Sequence, residues 1–221
     1  MSYYTNPRKD RKYYAPRRAY RQFRRNPMAK AEQALRIANA TKRLLNVEKK
    51  HNDVAATQNP TSSSWLATLL NGVAQGDSNE SRDGSSVKML SLYIKGYVNI
   101  NSSTSRSIVR LVVIHDKVPD GVAPNASEVF DANDVNAMYN TEYMGTKYTI
   151  LCDKTYSVSD GGNNNRPFKI YKKLNNKIRF SGTGSAITDI SQGALWLYVI
   201  SDEATNTPTI TWRGRVRFVD N

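Results

Sequence analysis

Arg8, Lys9, Arg11, Lys12, Arg17, Arg18, Arg21, Arg24 and Arg25 put nine cations into the first 26 residues, against the single acid Asp10. Basic groups at this density attract a polyanion, because each phosphate they neutralise releases condensed counterions. Tyr3, Tyr4, Tyr13, Tyr14, Tyr20 and Phe23 are interleaved with them. Their rings can stack on unpaired bases, so the pattern suits a single strand of nucleic acid. A solubilising tail or a nuclear-import signal is the plainer reading, and import is compatible with binding. A second basic set lies near the other end, where Arg213, Arg215 and Arg217 alternate with Trp212, Gly214, Val216 and Phe218. On a strand, period two places all three guanidiniums on one face. That face either meets nucleic acid, together with Lys95, or faces solvent or pairs with acids of a neighbouring surface.

Other chemistries find little support. His51, His115 and Cys152 are the only histidines and cysteine, so neither a disulfide nor a Cys/His zinc set can be assembled. Cys152 sits in the apolar run YTILC and reads as a small core residue. No G-x-S-x-G occurs, and SGTGS at 181–185 lacks the Lys and helix of a phosphate loop. Asp116, Asp131 and Asp134 lie near loops, where acids are usually solvated. Catalysis is not expected.

The charge is concentrated. Residues 1–53 hold 15 of the 32 Lys and Arg but four acids, and so carry +11 of the formal +13. The remaining 168 residues are near neutral and long enough for one folded core. No apolar stretch approaches a membrane span, and the first residues lack the apolar core of a signal peptide. The expectation is a soluble protein of a reducing compartment with no membrane partner.

These sites need elements to hold them. Residues 1–26 show no hydrophobic period and are expected to be a disordered arm. Asn26-Pro27 opens a run rich in helix formers, which predicts an amphipathic basic helix over 27–51. Its narrow, Ala-rich stripe is Met28, Ala31, Leu35, Ala38 and Leu45, with Ile37 and Leu44 beside it. Residues 52–64, polar and containing Pro60, read as a linker. From Val87 the period becomes two. In VKMLSLYIKGYVNI, Leu90, Leu92, Ile94, Val98 and Ile100 form the core face against Met89, Ser91, Tyr93, Lys95 and Tyr97. Strands follow at 107–115, 147–158, 166–173, 177–180, 194–201 and 209–219, with a weak element near 126–139 and turns rich in Gly, Asn and Asp between them. The fold class predicted is all-β, an eight-stranded jelly-roll sandwich over 65–221.

Residues 71–98, NGVAQGDSNESRDGSSVKMLSLYIKGYV, carry a further signal in Gln75-Gly76, Arg82, Gly84 and Gly96. Behind them come a DG turn, an SEVF segment and YTILCD at 148–153. These blocks resemble, in order, the coat protein of satellite tobacco necrosis virus and the related capsids of circular, Rep-encoding single-stranded DNA viruses. The resemblance implies a viral jelly-roll subunit that self-assembles as about 60 copies into a T=1 shell. It also implies a basic arm on the packaged single-stranded genome, with DNA favoured because the Arg/Tyr-laden start resembles circovirus-like arms. Roughly 660 arm charges would then meet the genome. The expected location is the virion, with assembly in host nucleus or cytoplasm and import receptors as further partners. The resemblance also implies structural calcium at subunit contacts, on Asp77, Asp83 and Asp220; Ser86 departs from the family's amide there. The competing readings are a non-viral nucleic-acid-binding protein with a basic tail and a carbohydrate-binding jelly roll, the latter leaving the arm unexplained.

Overall fold

The computed structural model describes residues 27–44 and 49–220. The chain divides into two units, Met1–Asn46 and Val47–Asn221. In the first, α1 (Pro27–Leu44) begins at a proline, whose missing N–H costs nothing in a first turn. Leu35 and Ile37 on this helix are exposed. Among the described residues no helix is long and apolar enough to cross a membrane.

The second unit is built of strands. Six form one antiparallel sheet: β1 (Lys49–Gln58), β10 (Thr209–Asp220), β3 (Ser86–Asn99), β6 (Asn165–Lys173), β7 (Lys177–Phe180) and β8 (Ile190–Gln192). β2 (Leu66–Leu69), β9 (Ala194–Ser201), β4 (Arg106–Asp116) and β5 (Tyr148–Ser159) form the other, in that spatial order. The first sheet runs β1-β10-β3, with β6 also on β3. The chain changes sheet between β1 and β2, β2 and β3, and β3 and β4. It returns between β5 and β6 and crosses twice more around β9. This is the predicted jelly roll, with ten strands among the described residues where eight were expected.

The helix reading of 27–51 and the linker reading of 52–64 need correction. The described helix ends at Leu44, and Lys49–Gln58 is a strand paired along its whole length with β10. Of its inward positions, Lys50, Asn52 and Gln58 are polar and Val54 and Ala56 apolar, so no apolar alternation marks it. Gln58 finds partners inside: its Oε1 accepts from Trp212 Nε1 at 3.1 Å and its Nε2 donates to Thr68 Oγ1 at 3.0 Å. Residues 1–48 thus carry 13 Lys and Arg and three acids, +10, ahead of the first strand.

β3 holds a second difference. Arg217 pairs with Ser91 but Phe218 with Met89, so Leu90 is the extra residue of a β-bulge. The bulge reverses the phase upstream, and Val87 and Met89 are buried where Leu90 was expected.

Every residue of β9 is buried. One face of its sheet looks into the sandwich with Leu111, Val113, Leu197 and Val199. The other is covered by residues 117–147, which carry α2 (Ala126–Val129), capped by Asn125. Phe130 from this excursion stacks on Trp65 at 3.7 Å between ring centroids, and Tyr198 meets both rings edge-on. Arg110, 7% exposed, pins the excursion from beneath: Nε and Nη2 donate to Asp153 at 3.0 and 2.7 Å, and Nη1 donates to the carbonyls of Val135 and Ala137. Cys152 is buried and unpaired, as read. Asp116, read as a solvated loop acid, is instead buried at the end of β4, and burial pushes its carboxyl up to about 6.

The blocks around Gln75 and Arg82 are structural. Arg82 Nε donates to Val73 O at 3.0 Å and Nη1 to Gly84 O at 2.6 Å, while the guanidinium lies 4.1 Å above the Phe180 ring. Gln75 Nε2 donates to Asp83 O. Gly96 is required by a close strand approach, since a Cβ there would lie 2.3 Å from the Thr211 carbonyl oxygen.

Candidate nucleic-acid interface

Arg8, Lys9, Arg11, Lys12, Tyr13, Tyr14, Arg17, Arg18, Tyr20, Arg21, Arg24 and Arg25 lie outside the described residues. The interface that can be built is the outer face of the six-stranded sheet.

On β10, Ile210, Trp212, Val216 and Phe218 are buried, and Arg213, Arg215 and Arg217 are exposed between them. Gly214 completes the inward row, where an added Cβ would sit 3.3 Å from the Trp212 ring. The register then builds rows across three strands. Arg213 pairs with Lys95, and Lys95 with Lys169. Arg215 pairs with Tyr93, and Tyr93 with Tyr171. Thr211, Tyr97 and Pro167 form the row on the other side, and Arg217, Ser91 and Lys173 the one beyond. With strands about 4.8 Å apart, the first row puts three cations within about 10 Å. The predicted neighbours Lys95, Arg213, Arg215 and Arg217 are therefore brought together. Lys169, Lys173 and Tyr171 join them; they were missed because strand pairing, not spacing along the chain, brings β6 alongside. The cue available was RPFKIYKK itself, whose alternation puts Lys169, Tyr171 and Lys173 on one face.

Counting Lys49, this face of β1, β10, β3 and β6 exposes seven cations and one acid, Asp53. Asp53 is fully engaged: Arg215 donates to both its oxygens at 2.6 Å. That pairing holds the Asp53 carboxyl below the usual range. The reading of the stripe as paired with acids thus fits Arg215 alone; among the described residues none accepts a hydrogen bond from the guanidinium of Arg213 or Arg217. Between Tyr93 and Tyr97 the surface sinks into a depression of about 640 Å³, lined also by Lys95, Lys169 and Arg213.

The calcium expectation meets a different arrangement. Asp83 and Asp220 do come together, the Asp83 N–H donating to Asp220 Oδ2 at 2.5 Å. A cation of the chain is already there. Lys50, 2% exposed, donates from Nζ to Asp83 Oδ1 at 2.8 Å and lies 3.8 Å from Asp220 Oδ2. A divalent ion beside a buried ammonium would be repelled, so this pair does not fit calcium within one chain. Asp77 forms no ligand cluster with them. Among the described residues the one group of three with ligand atoms within 4.8 Å is His51, Asp53 and Glu80, and there Arg215 takes both Asp53 oxygens. The melting temperature of the protein is accordingly expected to stay constant, within about 1 °C, on adding calcium or a chelator. Lys50→Met should melt lower and become calcium-responsive. A calcium-dependent rise in the unsubstituted protein would show that the ion displaces Lys50.

A family model described as satellite tobacco necrosis virus coat protein matches residues 22–221. The capsid protein of Satellite tobacco necrosis virus 1 is 25% identical over 169 residues, covering 74% of this chain and 84% of that protein. The coat protein of Satellite tobacco necrosis virus 2 is 23% identical over 156 residues, covering 70% and 78%. Among solved structures, that of Cocksfoot mottle virus aligns with a TM-score of 0.36 and 12% identity over 78% of this chain and 93% of that one.

Proposed function

The chain belongs to the satellite tobacco necrosis virus coat protein family and is a viral coat protein, a constituent of the virion. From this premise we propose that about 60 copies close into a small T=1 icosahedral shell around a single-stranded genome. The basic arm and the outer face of the six-stranded sheet both bind that genome. The observation that supports this reading is the composition of the face, with seven exposed cations, one acid already held by Arg215, and tyrosines between the cations. A surface turned only to solvent has no physical use for a row of three unpaired cations, because like charges on neighbouring strands repel. Phosphates relieve that repulsion. Single strands are favoured over duplex because Tyr93, Tyr97 and Tyr171 offer rings to unpaired bases. The likeness of the arm to circovirus-like arms favours DNA.

Sedimentation of the purified protein tests the assembly. Shells of about 60 copies sediment near ~1.5 MDa, against 24.9 kDa for one chain. Nucleic acid extracted from the particles should be destroyed by a single-strand-specific nuclease, and by DNase rather than RNase. A protein that stays monomeric at high concentration would overturn the shell, and RNase-sensitive cargo would overturn DNA while leaving the shell in place.

A further inference from the structure

We propose that the depression between Tyr93 and Tyr97 is a nucleotide pocket that takes one unpaired base of the bound strand, with its flanking phosphates on Arg213, Lys95 and Lys169. This rests on the reading of the sheet face as a nucleic-acid surface and goes further, assigning recognition of strandedness to the folded body and not to the arm alone.

The argument starts from the strand pattern. Tyr93 and Tyr97 stand on the same side of β3 with Lys95 between them, and the pairing of Lys95 with both Arg213 and Lys169 draws a cation from each neighbouring strand. Tyr93 and Tyr97 are 37% and 39% exposed, so their faces are half open to water and available for stacking. Gly96 is among its lining residues, and its missing side chain lets β3 and β10 close to a distance that a Cβ would forbid. Its volume of about 640 Å³ falls within the range of roughly 300–1,000 Å³ typical of small-molecule sites. The chemistry of the rim is that of a nucleotide: aromatic walls for a base and convergent donors for its phosphates. No carboxylate lines the depression: Asp53 is held by Arg215 on the next row, and Glu80 lies beside Asp53 and His51. Paired bases cannot enter, because their faces are stacked and their edges occupied.

Crosslinking of the full-length protein to a ten-nucleotide single strand carrying a photoreactive thymine analogue should give adducts at Tyr93 or Tyr97, located by peptide mass spectrometry. The unlabelled strand should bind more tightly than one of equal length with abasic sites, by about tenfold or more per stacked base. The Tyr93→Ala/Tyr97→Ala variant should lose that preference without altering the salt dependence. Changing Lys95, Lys169 and Arg213 to Gln should instead lower the salt slope, by up to about two for a single strand. Adducts confined to residues 1–26, with abasic and base-bearing strands bound equally, would overturn the pocket but leave particle assembly, and hence the coat-protein reading, untouched. If Tyr93→Ala/Tyr97→Ala instead abolishes assembly of empty shells, the face is a contact between copies and the pocket is likewise overturned. Failure to form particles with the crosslink intact would fall on the shell and not on the pocket.

Discussion

Deletion of residues 1–26 is expected to reduce the packaged nucleic acid by more than half while leaving the melting temperature of the body nearly unchanged. The segment contributes nine Lys and Arg and one acid, a net of +8 per copy. In the proposed shell of about 60 copies that is roughly 480 charges removed from contact with the proposed genome. The slope of binding against salt should fall by roughly six, given ~0.7 per neutralised phosphate on a single strand. Stability is insulated because, among the described residues, every strand of the sandwich lies at or beyond Lys49, and β1 is held by its pairing to β10. Loss of repulsion among arms also favours assembly of emptier shells. The ratio of absorbance at nucleic-acid and protein wavelengths reads the cargo directly. Truncated particles with full cargo would transfer the packaging role to the sheet face.

How much of this was legible before the structure depends on what each residue buries. β9 and β10 were readable because their apolar residues follow a strand period or run without a break: ALWLYVIS is covered on both faces, and TITWRGRVRFV alternates cleanly. The Arg stripe and its neighbours Tyr93, Lys95 and Tyr97 followed from that alternation and from strand order. β1 was illegible because its inward side chains include Lys50, Asn52 and Gln58, and the burial of Lys50 and Gln58 is offset by partners elsewhere in the chain: Asp83, Asp220, Thr68 and Trp212. No local rule anticipates them. The same blindness hid Asp53, the one acid on the face, and made Asp83 and Asp220 look like metal ligands when Lys50 supplies their cation. The bulge at Leu90 was invisible for another reason, as a one-residue phase shift in a strand with apolar residues at 87, 89, 90 and 92 leaves both phases plausible. The arm, read from charge and interleaved tyrosines, lies outside the described residues, and its role is carried by the proposal above.

Arg110→Ala is expected to be the most damaging single substitution in the body. Arg110 joins β4 to β5 through Asp153 and reaches across to the carbonyls of Val135 at 3.1 Å and Ala137 at 2.6 Å. Tyr139 donates from its hydroxyl to the same carboxylate at 2.5 Å, and the guanidinium lies 5.5 to 6.0 Å from the rings of Tyr139, Trp65 and Phe130. Alanine would strand two carbonyls, leave Asp153 with Tyr139 as its remaining partner and open a void beneath the aromatic cluster. Breaking a buried pair costs ~3–5 kcal/mol. Asp153 keeps a third of its surface in water, so about 2–4 kcal/mol is the appropriate expectation. That is a large fraction of the stability of a typical domain. The loss should appear first as protease cleavage within residues 117–147, because the excursion is held to the sheet by these bonds. It should also depend on pH. Burial pushes the Asp153 carboxyl up, but hydrogen bonds from Arg110 and Tyr139 outweigh it and hold the group below the usual range. A depressed carboxylate contributes stability that is complete above its unfolded value near 3.9 and is lost as pH falls through the folded one. The gap between Arg110→Ala and the unsubstituted protein should therefore be widest at neutral pH and narrow below about pH 4. Urea unfolding of the two proteins at pH 7 and near pH 3 measures it. A neutral-pH difference under about 1 kcal/mol would mean that the excursion is held by its aromatic stack alone.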